Sequence, residues 1–234
     1  MRSAAAEEVI DVAASAGLQA IEWGADVHVP AGDVSRAAEV RAATERAGLA
    51  VASYGSYFLR RGDGDFGPVL ASARALGAPR IRIWAGWLGS AEADAAHRAA
   101  VVRSVRAAAA AADGVELAFE FHGGTLTDTA EGTAALIADV PASTYWQPPL
   151  GMPDDVALAG LDRVIDQVSA VHVFSWWPQR ERLTLEARAD LWRQVFARLR
   201  ARGRPYDALL EFVPGDDAAS VARAAATLHE LINP

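Results

Sequence analysis

Four side chains that can bind metal ions recur at intervals in the second half of the chain. Glu120, Gln147, His172 and Glu211 are separated by 27, 25 and 39 residues, and each lies in or just after a short apolar run that predicts a strand. In parallel β/α folds the carboxyl ends of neighbouring strands meet at one face, so we expect these side chains to converge. Two carboxylates, an amide oxygen and an imidazole suit a divalent cation, Mn²⁺ or Mg²⁺ first, with Zn²⁺ or Co²⁺ as alternatives.

Each of these residues alone could instead be a hydrogen-bonded polar group near the end of a strand. The two glutamates argue for more, because Glu120 lies within Leu-Ala-Phe-Glu-Phe and Glu211 within Leu-Leu-Glu-Phe-Val. A charged carboxylate in such apolar surroundings is costly to bury without a cation or another partner. The four residues together therefore predict a metal site.

Other residues near predicted strand ends are candidates for binding a substrate. Six of the seven tryptophans, at positions 23, 84, 87, 146, 176 and 177, fall at or just after such ends. Indole rings pack well on the C–H faces of sugars, although the same rings could simply fill the mouth of the fold as core. The substrate-binding candidates are Glu22, Trp23, His28, Arg82, Trp84, His122, Trp146 and Trp176.

The polar members of this set have specific alternatives. Arg82 could bind a carboxylate or phosphate of the substrate, or extend toward the other end of its strand. His122 shares a strand face with Glu120, two residues earlier, so it is a candidate to bind a hydroxyl or assist proton transfer; alternatively it caps the turn at Gly123. Glu22 and His28 bracket a loop near the expected site.

Strands and helices alternate along the whole chain, which predicts βαβ units and a parallel sheet. Several predicted helices end at a glycine just before the next strand, as at Gly77, Gly114 and Gly203. The predicted strands are 18–23, 49–55, 81–84, 115–122, 144–148, 170–175 and 208–213. The predicted helices are 3–16, 34–47, 66–76, 91–112, 127–138, 156–168, 185–201 and 217–232.

Eight helices with seven strands predict one domain over residues 1–234, a (β/α)8 TIM barrel that lacks its first β-strand because the chain starts at the first helix. An open doubly wound sheet is the alternative. The barrel is favoured because open sheets of that type usually carry a glycine-rich phosphate turn after an early strand, and Gly24-Ala25-Asp26 does not supply one.

Composition excludes several classes of function. The net charge of −8, with basic residues spread along helices, makes nucleic acid an unexpected partner. No apolar run reaches the length of a membrane span, and the amino terminus lacks a signal-peptide pattern, so we expect no membrane association and a cytoplasmic location. With no cysteine there is neither a disulfide framework nor a thiol nucleophile.

The sequence resembles the xylose isomerase-like barrel family of sugar and sugar-phosphate isomerases and epimerases. The resemblance lies in four segments: Gly17-Leu18-Gln19-Ala20-Ile21-Glu22-Trp23, Glu120-Phe121-His122-Gly123-Gly124-Thr125, Val171-His172-Val173 and Leu210-Glu211-Phe212. It implies that the missing element is the first strand. It also implies that Glu120, His172 and Glu211 match three of four metal ligands.

Gln147 departs from the pattern of this family, which has an aspartate there and a histidine three residues later. This chain reads Gln147-Pro148-Pro149-Leu150, so both are replaced. An amide can still offer its carbonyl oxygen, but the lost negative charge is expected to weaken the binding of a hard dication.

The resemblance implies proton transfer beside a carbonyl, with Glu120 and Glu211 as the acid/base pair. The expected function is a metal-dependent isomerase or epimerase of a small sugar, keto sugar or cyclitol, with a homo-oligomer as one expected assembly. Dehydration shares its first step. The family's nuclease branch is disfavoured because it needs more histidines than the five present and a basic groove. The remaining alternative is a degenerate or partner-completed barrel that binds a sugar without catalysis.

Overall fold

The computed structural model describes residue 1, residues 3–62 and residues 64–233. Its helices are α1 (Ala6–Ser15), α2 (Val34–Arg46), α3 (Phe66–Leu76), α4 (Ala95–Ala112), α5 (Ala130–Ile137), α6 (Asp154–Val164), α7 (Ala189–Arg202) and α8 (Ala218–Ile232). Its strands are β1 (Ala20–Gly24), β2 (Ala50–Gly55), β3 (Arg80–Ile83), β4 (Glu116–Phe119), β5 (Ser143–Trp146), β6 (Val168–Val173), β7 (Ser175–Trp176), β8 (Arg182–Leu183) and β9 (Asp207–Leu210). The alternation predicted from the sequence is confirmed.

The parallel sheet forms a nearly closed barrel. Its strands follow the chain in the order β1-β2-β3-β4-β5-β6-β9, and every neighbouring pair is parallel. Over the described residues no ladder joins β1 to β9, so one seam of the wall is open where a first strand would stand. Outside the seam α1 packs against α8, which continues the ring of helices. The predicted TIM barrel without its first strand is confirmed.

Alternation along each strand separates an apolar outer face from a polar interior. In β3 the side chains of Ile81 and Ile83 are fully buried in the core beneath the helices. Arg80, which precedes Ile81 and faces the other side of the strand, instead bonds Glu116 of β4 at 2.9 Å and Asp207 of β9 at 2.7 Å. Because β3 and β9 are far apart in the sheet order, Arg80 must reach Asp207 through the barrel interior.

Polar side chains set several element boundaries more tightly than periodicity predicts. The predicted helix 91–112 begins at Ala95 because Asp94 caps it, accepting a hydrogen bond from the amide of His97 at 2.7 Å. Likewise Thr129 caps α5, so the helix begins at Ala130 and not at residue 127 as predicted. The antiparallel hairpin of β7 and β8 was not predicted, because two-residue strands carry no readable period.

None of the helices in the described part of the chain is long and apolar enough to cross a membrane.

Tyr54 of β2 gives the barrel wall a pH-dependent contribution to stability. Its side chain is fully buried, its hydroxyl donates to the carbonyl of Val29 at 2.8 Å, and burial raises its pKa to about 12. Tyrosine in an unfolded chain titrates near 10. The unfolded state therefore loses this proton first, and the free energy of unfolding falls as the pH rises from 10 to 12.

Tyr54→Phe should accordingly show a shallower loss of stability above pH 10 than the parent protein in urea unfolding. The exposed Tyr57→Phe is the matched control and should keep the parent slope. Parallel curves for Tyr54→Phe and the parent protein would contradict the assignment.

Candidate active site

A buried row of charges crosses the carboxyl end of the barrel. Arg82 of β3 donates from Nε to Glu22 Oε1 of β1 at 3.0 Å, and its Nη1 pairs with Glu120 Oε2 just beyond β4. Burial by itself would raise the pKa of Glu22, but Arg82, together with His172 and Ser53, lowers it. Glu22 is therefore held as a carboxylate, and the same guanidinium also pairs with Glu120.

His172 of β6 lies at the centre of the predicted metal ligands. Its Nδ1 is 3.1 Å from Gln147 Oε1, 3.6 Å from Glu120 Oε1 and 3.6 Å from Glu211 Oε2. Its other ring nitrogen, Nε2, is 3.8 Å from Glu22 Oε1. The structure thus brings together the four residues that sequence spacing predicted, and we call them, with Glu22 and Arg82, the central cluster.

Three residues that the sequence analysis missed support the central cluster. Ser53 Oγ and Tyr145 Oη donate to Glu22 Oε2 at 2.6 and 2.8 Å, so this carboxylate is fixed from two further strands. Gly55 leaves room for the guanidinium, since a Cβ there would lie 2.6 Å from Arg82 Nη2. Burial raises the pKa of Tyr145 well above its ordinary value, which keeps its hydroxyl protonated as a donor.

Two of the predicted substrate-binding tryptophans belong to the outer core instead. Trp23 is fully buried beneath the helices, and Trp146 is packed edge-on against Trp192 of α7. Neighbouring residues on a strand face opposite sides, so Trp23 and Trp146 point away from the interior faced by Glu22 and Gln147. The expectation that these two rings contact substrate is corrected by this register.

His28 is also engaged elsewhere. Its Nε2 bonds the carbonyl of Ala4 at 3.0 Å, and its ring packs edge-on against Trp23 at 5.3 Å. These contacts join the loop after β1 to the amino-terminal segment, and the structure does not place His28 in the central cluster.

Trp84, His122 and Trp176 remain beside the cluster. The ring of His122 lies 4.7 Å from that of Trp84, and its Nδ1 donates to the carbonyl of Gly123 at 2.6 Å, which is the turn contact weighed as its alternative role. Trp176 packs at 4.4 Å on Phe212, the residue after Glu211. The two indoles thus flank the ends of β3 and β9.

The imidazole of His122 is influenced by charges on both sides of the mouth. Its pKa is lowered, first by burial and then by the positive charges of Arg60 and Arg82, while the Gly123 carbonyl and Glu211 act in the opposite direction. His122 is therefore held toward the neutral form, and both Arg60 and Glu211 are close enough to act on it.

The donor atoms around His172 fit a divalent cation in kind and in spacing. Two atoms bound to one cation at roughly 2.1 Å lie about 3.0 to 3.5 Å apart at tetrahedral or octahedral angles, close to the distances around Nδ1. Glu211 Oε2 is buried and has no hydrogen-bond donor within the described residues. Three carboxylates face a single guanidinium in the cluster, so a further cation would balance its charge.

Whether the cluster can hold a divalent cation depends on the side-chain amide of Gln147. In the described part of the chain no three His, Cys, Asp or Glu side chains form a metal-holding group by themselves. Gln147 must then supply a ligand oxygen, and Arg82 leaves only Oε1 of Glu120 facing His172.

A cavity of about 490 Å³ opens at the opposite, amino-terminal end of the barrel. The charges at its floor are already satisfied, because Arg80 is paired with both Glu116 and Asp207. The central cluster, in which Glu211 Oε2 is buried without a hydrogen-bond donor among the described residues, lies instead at the carboxyl end. This is the end at which β/α barrels carry their active sites.

Comparison with known proteins agrees with this architecture. The model of the xylose isomerase-like TIM barrel family matches residues 10–146. The probable 3-DHS dehydratase AsbF of Bacillus anthracis, involved in petrobactin synthesis, superposes with a TM-score of 0.75 at 15% identity, over 95% of this chain and 92% of that one. A xylose isomerase-like TIM barrel protein from Mycobacterium smegmatis in complex with magnesium gives 0.74 at 19% identity, over 99% and 90%.

A xylose isomerase domain protein from Planctomyces limnophilus likewise gives a TM-score of 0.75 at 16% identity, over 95% of this chain and 90% of that one. At such identities the likeness shows the fold alone. No protein of curated function matches significantly. Because the family model spans more than half of the sequence, and because the barrel is the one its motifs predict, the chain belongs to the xylose isomerase-like TIM barrel family.

Proposed function

We propose that this protein transfers a proton at a carbon beside the carbonyl of a small sugar, keto sugar or cyclitol, as an isomerase or epimerase. The observation that carries the proposal is the convergence of Glu120 and Glu211, just beyond β4 and β9, on Nδ1 of His172, which lies 3.6 Å from an oxygen of each. Two carboxylates that both contact the substrate can remove a proton from one of its carbons and return a proton to the other face or to the adjacent carbon.

A divalent cation, Mn²⁺ or Mg²⁺ first, would be held by Glu120, Gln147, His172 and Glu211. When bound it would polarise the carbonyl and the neighbouring hydroxyl of the substrate. The magnesium found with the M. smegmatis relative supports this choice of ion. Glu22, beside Nε2 of His172, would fix the tautomer that leaves Nδ1 free as a ligand.

The two carboxylates have different surroundings, which suggests different roles. Glu120 is almost fully buried and paired with Arg82, so its charge is already balanced. Glu211 is about one-third exposed at 34%, and its Oε2 has no donor within the described residues. We therefore assign proton abstraction to Glu211. In isomerisation Glu211 would return the same proton to the adjacent carbon; in epimerisation Glu120 would take a proton from solvent and deliver it to the opposite face, while Glu211 releases its proton to solvent. His122 and Trp84 would border the substrate, and the indole would keep water from the reacting carbon.

The direct test is proton exchange with solvent. D-fructose, D-ribulose and scyllo-inosose represent hexulose, pentulose and cyclitol ketones, and each is incubated with Mn²⁺-loaded protein in D₂O. Loss of the ¹H NMR signal beside the carbonyl, faster than in a protein-free control, is the expected result for at least one class. Absence of exchange in all three would contradict the proposal as stated.

Dehydration is the nearest chemical variant, since removal of the same proton followed by loss of a β-hydroxyl gives an enone. The B. anthracis protein, a probable 3-DHS dehydratase, is of this type. The same NMR experiment separates the two, because dehydration yields new olefinic signals.

Binding without catalysis is the second candidate, and a specific observation favours it: Arg82 already supplies a cation to Glu120, and Gln147 stands where a carboxylate ligand is expected. Such a protein would bind one of the three ketones without exchanging any of its protons.

Gln147→Asp should tighten Mn²⁺ binding about tenfold or more, because a carboxylate adds a negative charge to the ligand set. Titration calorimetry on chelator-treated protein measures the change. Gln194→Asp, on the exposed face of α7, adds the same charge far from the site and should leave the affinity unaltered. An unchanged affinity in Gln147→Asp would mean that residue 147 is not a ligand.

A further inference from the structure

Arg60 lies beside Trp84 at the carboxyl end of the barrel. Its guanidinium lies 4.6 Å above the ring of Trp84, and it makes no hydrogen bond or ion pair with any residue the structure describes. The chain has 30 acidic and 22 basic residues, so an arginine without an ion pair is not explained by a shortage of carboxylates. Stacking on indole fixes the plane of a guanidinium and leaves its N–H edges free to bind an anion.

The loop that carries Arg60 is tied to the barrel. The amide of Ser56 donates to the carbonyl of Arg82 at 3.0 Å, and the amide of Trp84 donates to the carbonyl of Phe58 at 3.0 Å. The backbone of Leu59 is left-handed, with φ of 66°, although its side chain is fully buried. A non-glycine residue in this region costs about 1 kcal/mol or more and persists only where its surroundings impose it. Arg60 is thus presented by a rigid turn.

Aromatic rings connect Arg60 to the central cluster. Trp84 stacks with Tyr57 at 6.0 Å between ring centroids and contacts His122 at 4.7 Å. His122 is two residues from Glu120 and feels the charges of both Arg60 and Glu211. A molecule lying on these rings would have one end at Arg60 and the other at the carboxylates.

The charges at the two ends determine the orientation of a ligand that carries an anionic group. The residues of the cluster hold three carboxylates against Arg82, and a bound dication would only neutralise this excess, so a substrate anion gains no net attraction there. At Arg60 the same anion would meet a free, planar donor that matches carboxylate and phosphate oxygens.

We propose that Arg60 binds a carboxylate or phosphate group at one end of a polyhydroxy substrate whose other end reaches the central cluster. This inference rests on the proposed function, and it narrows the substrate to an acidic sugar: a sugar acid or a sugar phosphate. The sugar chain lies along His122, beside the buried Trp84 ring that holds Arg60, and the anionic end points away from Glu120 and Glu211.

The test compares three polyols of matched carbon skeleton, D-sorbitol, D-gluconate and D-sorbitol 6-phosphate, by equilibrium titration of tryptophan fluorescence and calorimetry. In the parent protein at least one of the two anions should bind about tenfold or more tightly than D-sorbitol. Which anion binds more tightly distinguishes a carboxylate from a phosphate ligand. Arg60→Gln should remove the preference, while Arg61→Gln, the neighbouring exposed arginine, should retain it.

Equal affinity for the charged and uncharged polyols in the parent protein, no binding of any of the three, or an unchanged preference in Arg60→Gln would each overturn the assignment. The measurement needs no turnover, so it is independent of the exchange experiment. An anion preference that survives in Glu211→Gln and depends on Arg60 would support the anion site even if no proton exchange were found.

Discussion

Glu211→Gln should lower proton exchange by roughly 10²- to 10⁴-fold, the usual contribution of a general base, while the protein stays folded. The amide is nearly isosteric with the carboxylate but cannot accept the proton. Because the Glu211 side chain is 34% exposed and has no arginine partner among the described residues, little native stabilisation is lost with its charge. Exchange is followed by ¹H NMR on the ketone that responds in the parent protein, and folding by thermal melting.

Glu230→Gln, on an exposed position of α8, is the matched control and should exchange at the parent rate. Exchange within twofold of the parent rate in Glu211→Gln would exclude Glu211 as the base. Loss of exchange together with loss of the melting transition would be uninformative about chemistry, and Glu211→Asp would then be used: it keeps the charge but shortens the reach, and a folded, slow variant supports the assignment.

Arg82→Met should lower the free energy of unfolding by about 3–5 kcal/mol, the cost of leaving buried charges without a partner. The substitution keeps much of the side-chain length but strands Glu22 and Glu120, which Arg82 bridges across the barrel. Urea unfolding measures the change. Arg41→Met breaks an exposed pair with Glu45 on α2 and should cost no more than about 0.5 kcal/mol.

A second substitution separates the stranded charge from lost packing. Glu22→Gln added to Arg82→Met removes one of the unpaired carboxylates and should recover part of the lost stability. A loss below about 1 kcal/mol in Arg82→Met, or no recovery in the double variant, would contradict the view that the buried ion row is satisfied mainly by Arg82.

The acid side of the stability curve provides an independent check. Arg82 holds the pKa of Glu22 below its ordinary value against the opposing effect of burial, so the folded state gives up this proton more readily than the unfolded state does. Its stabilisation is present above the ordinary carboxyl pKa and is lost as the pH falls below it. The loss of stability on acidification should therefore be smaller in Arg82→Met.

The sequence predicted the barrel because its signals are local and repeat. Each β/α unit has an apolar run, a helical period and often a glycine such as Gly77 or Gly203, both left-handed at the ends of their helices. The convergence of Glu120, Gln147 and His172 followed from topology alone, since parallel strands bring their carboxyl ends to one face. Convergence needed no side-chain detail.

Side chains alternate between the two faces of a strand, and this alternation predicts which residues near a strand end face the barrel interior. Trp23 follows Glu22 directly and Trp146 precedes Gln147, so both rings had to face away from the site. By the same rule Tyr145, two residues before Gln147, shares its inward face and bonds Glu22. Applied strictly, the period of two would have excluded the two tryptophans and found the tyrosine.

The sequence did not predict which carboxylates pair with the arginines of β3. Arg80 and Arg82 share a face, yet one reaches Glu116 and Asp207 at the amino end while the other bridges Glu22 and Glu120 at the carboxyl end. Those choices depend on which carboxylates the closed barrel brings near, and no local pattern encodes them. The free position of Arg60 depends equally on a left-handed turn at Leu59 that its residue type does not predict.

The measurement that tests the central claim most directly is metal content by elemental mass spectrometry, on protein purified without chelator and again after loading with Mn²⁺ and desalting. The account predicts one divalent ion per chain in the parent protein and in Glu230→Gln, and its loss in Glu211→Gln and in His172→Asn. No bound metal in the parent protein after loading, or the same content in all four proteins, would contradict a cation held by Glu120, Gln147, His172 and Glu211.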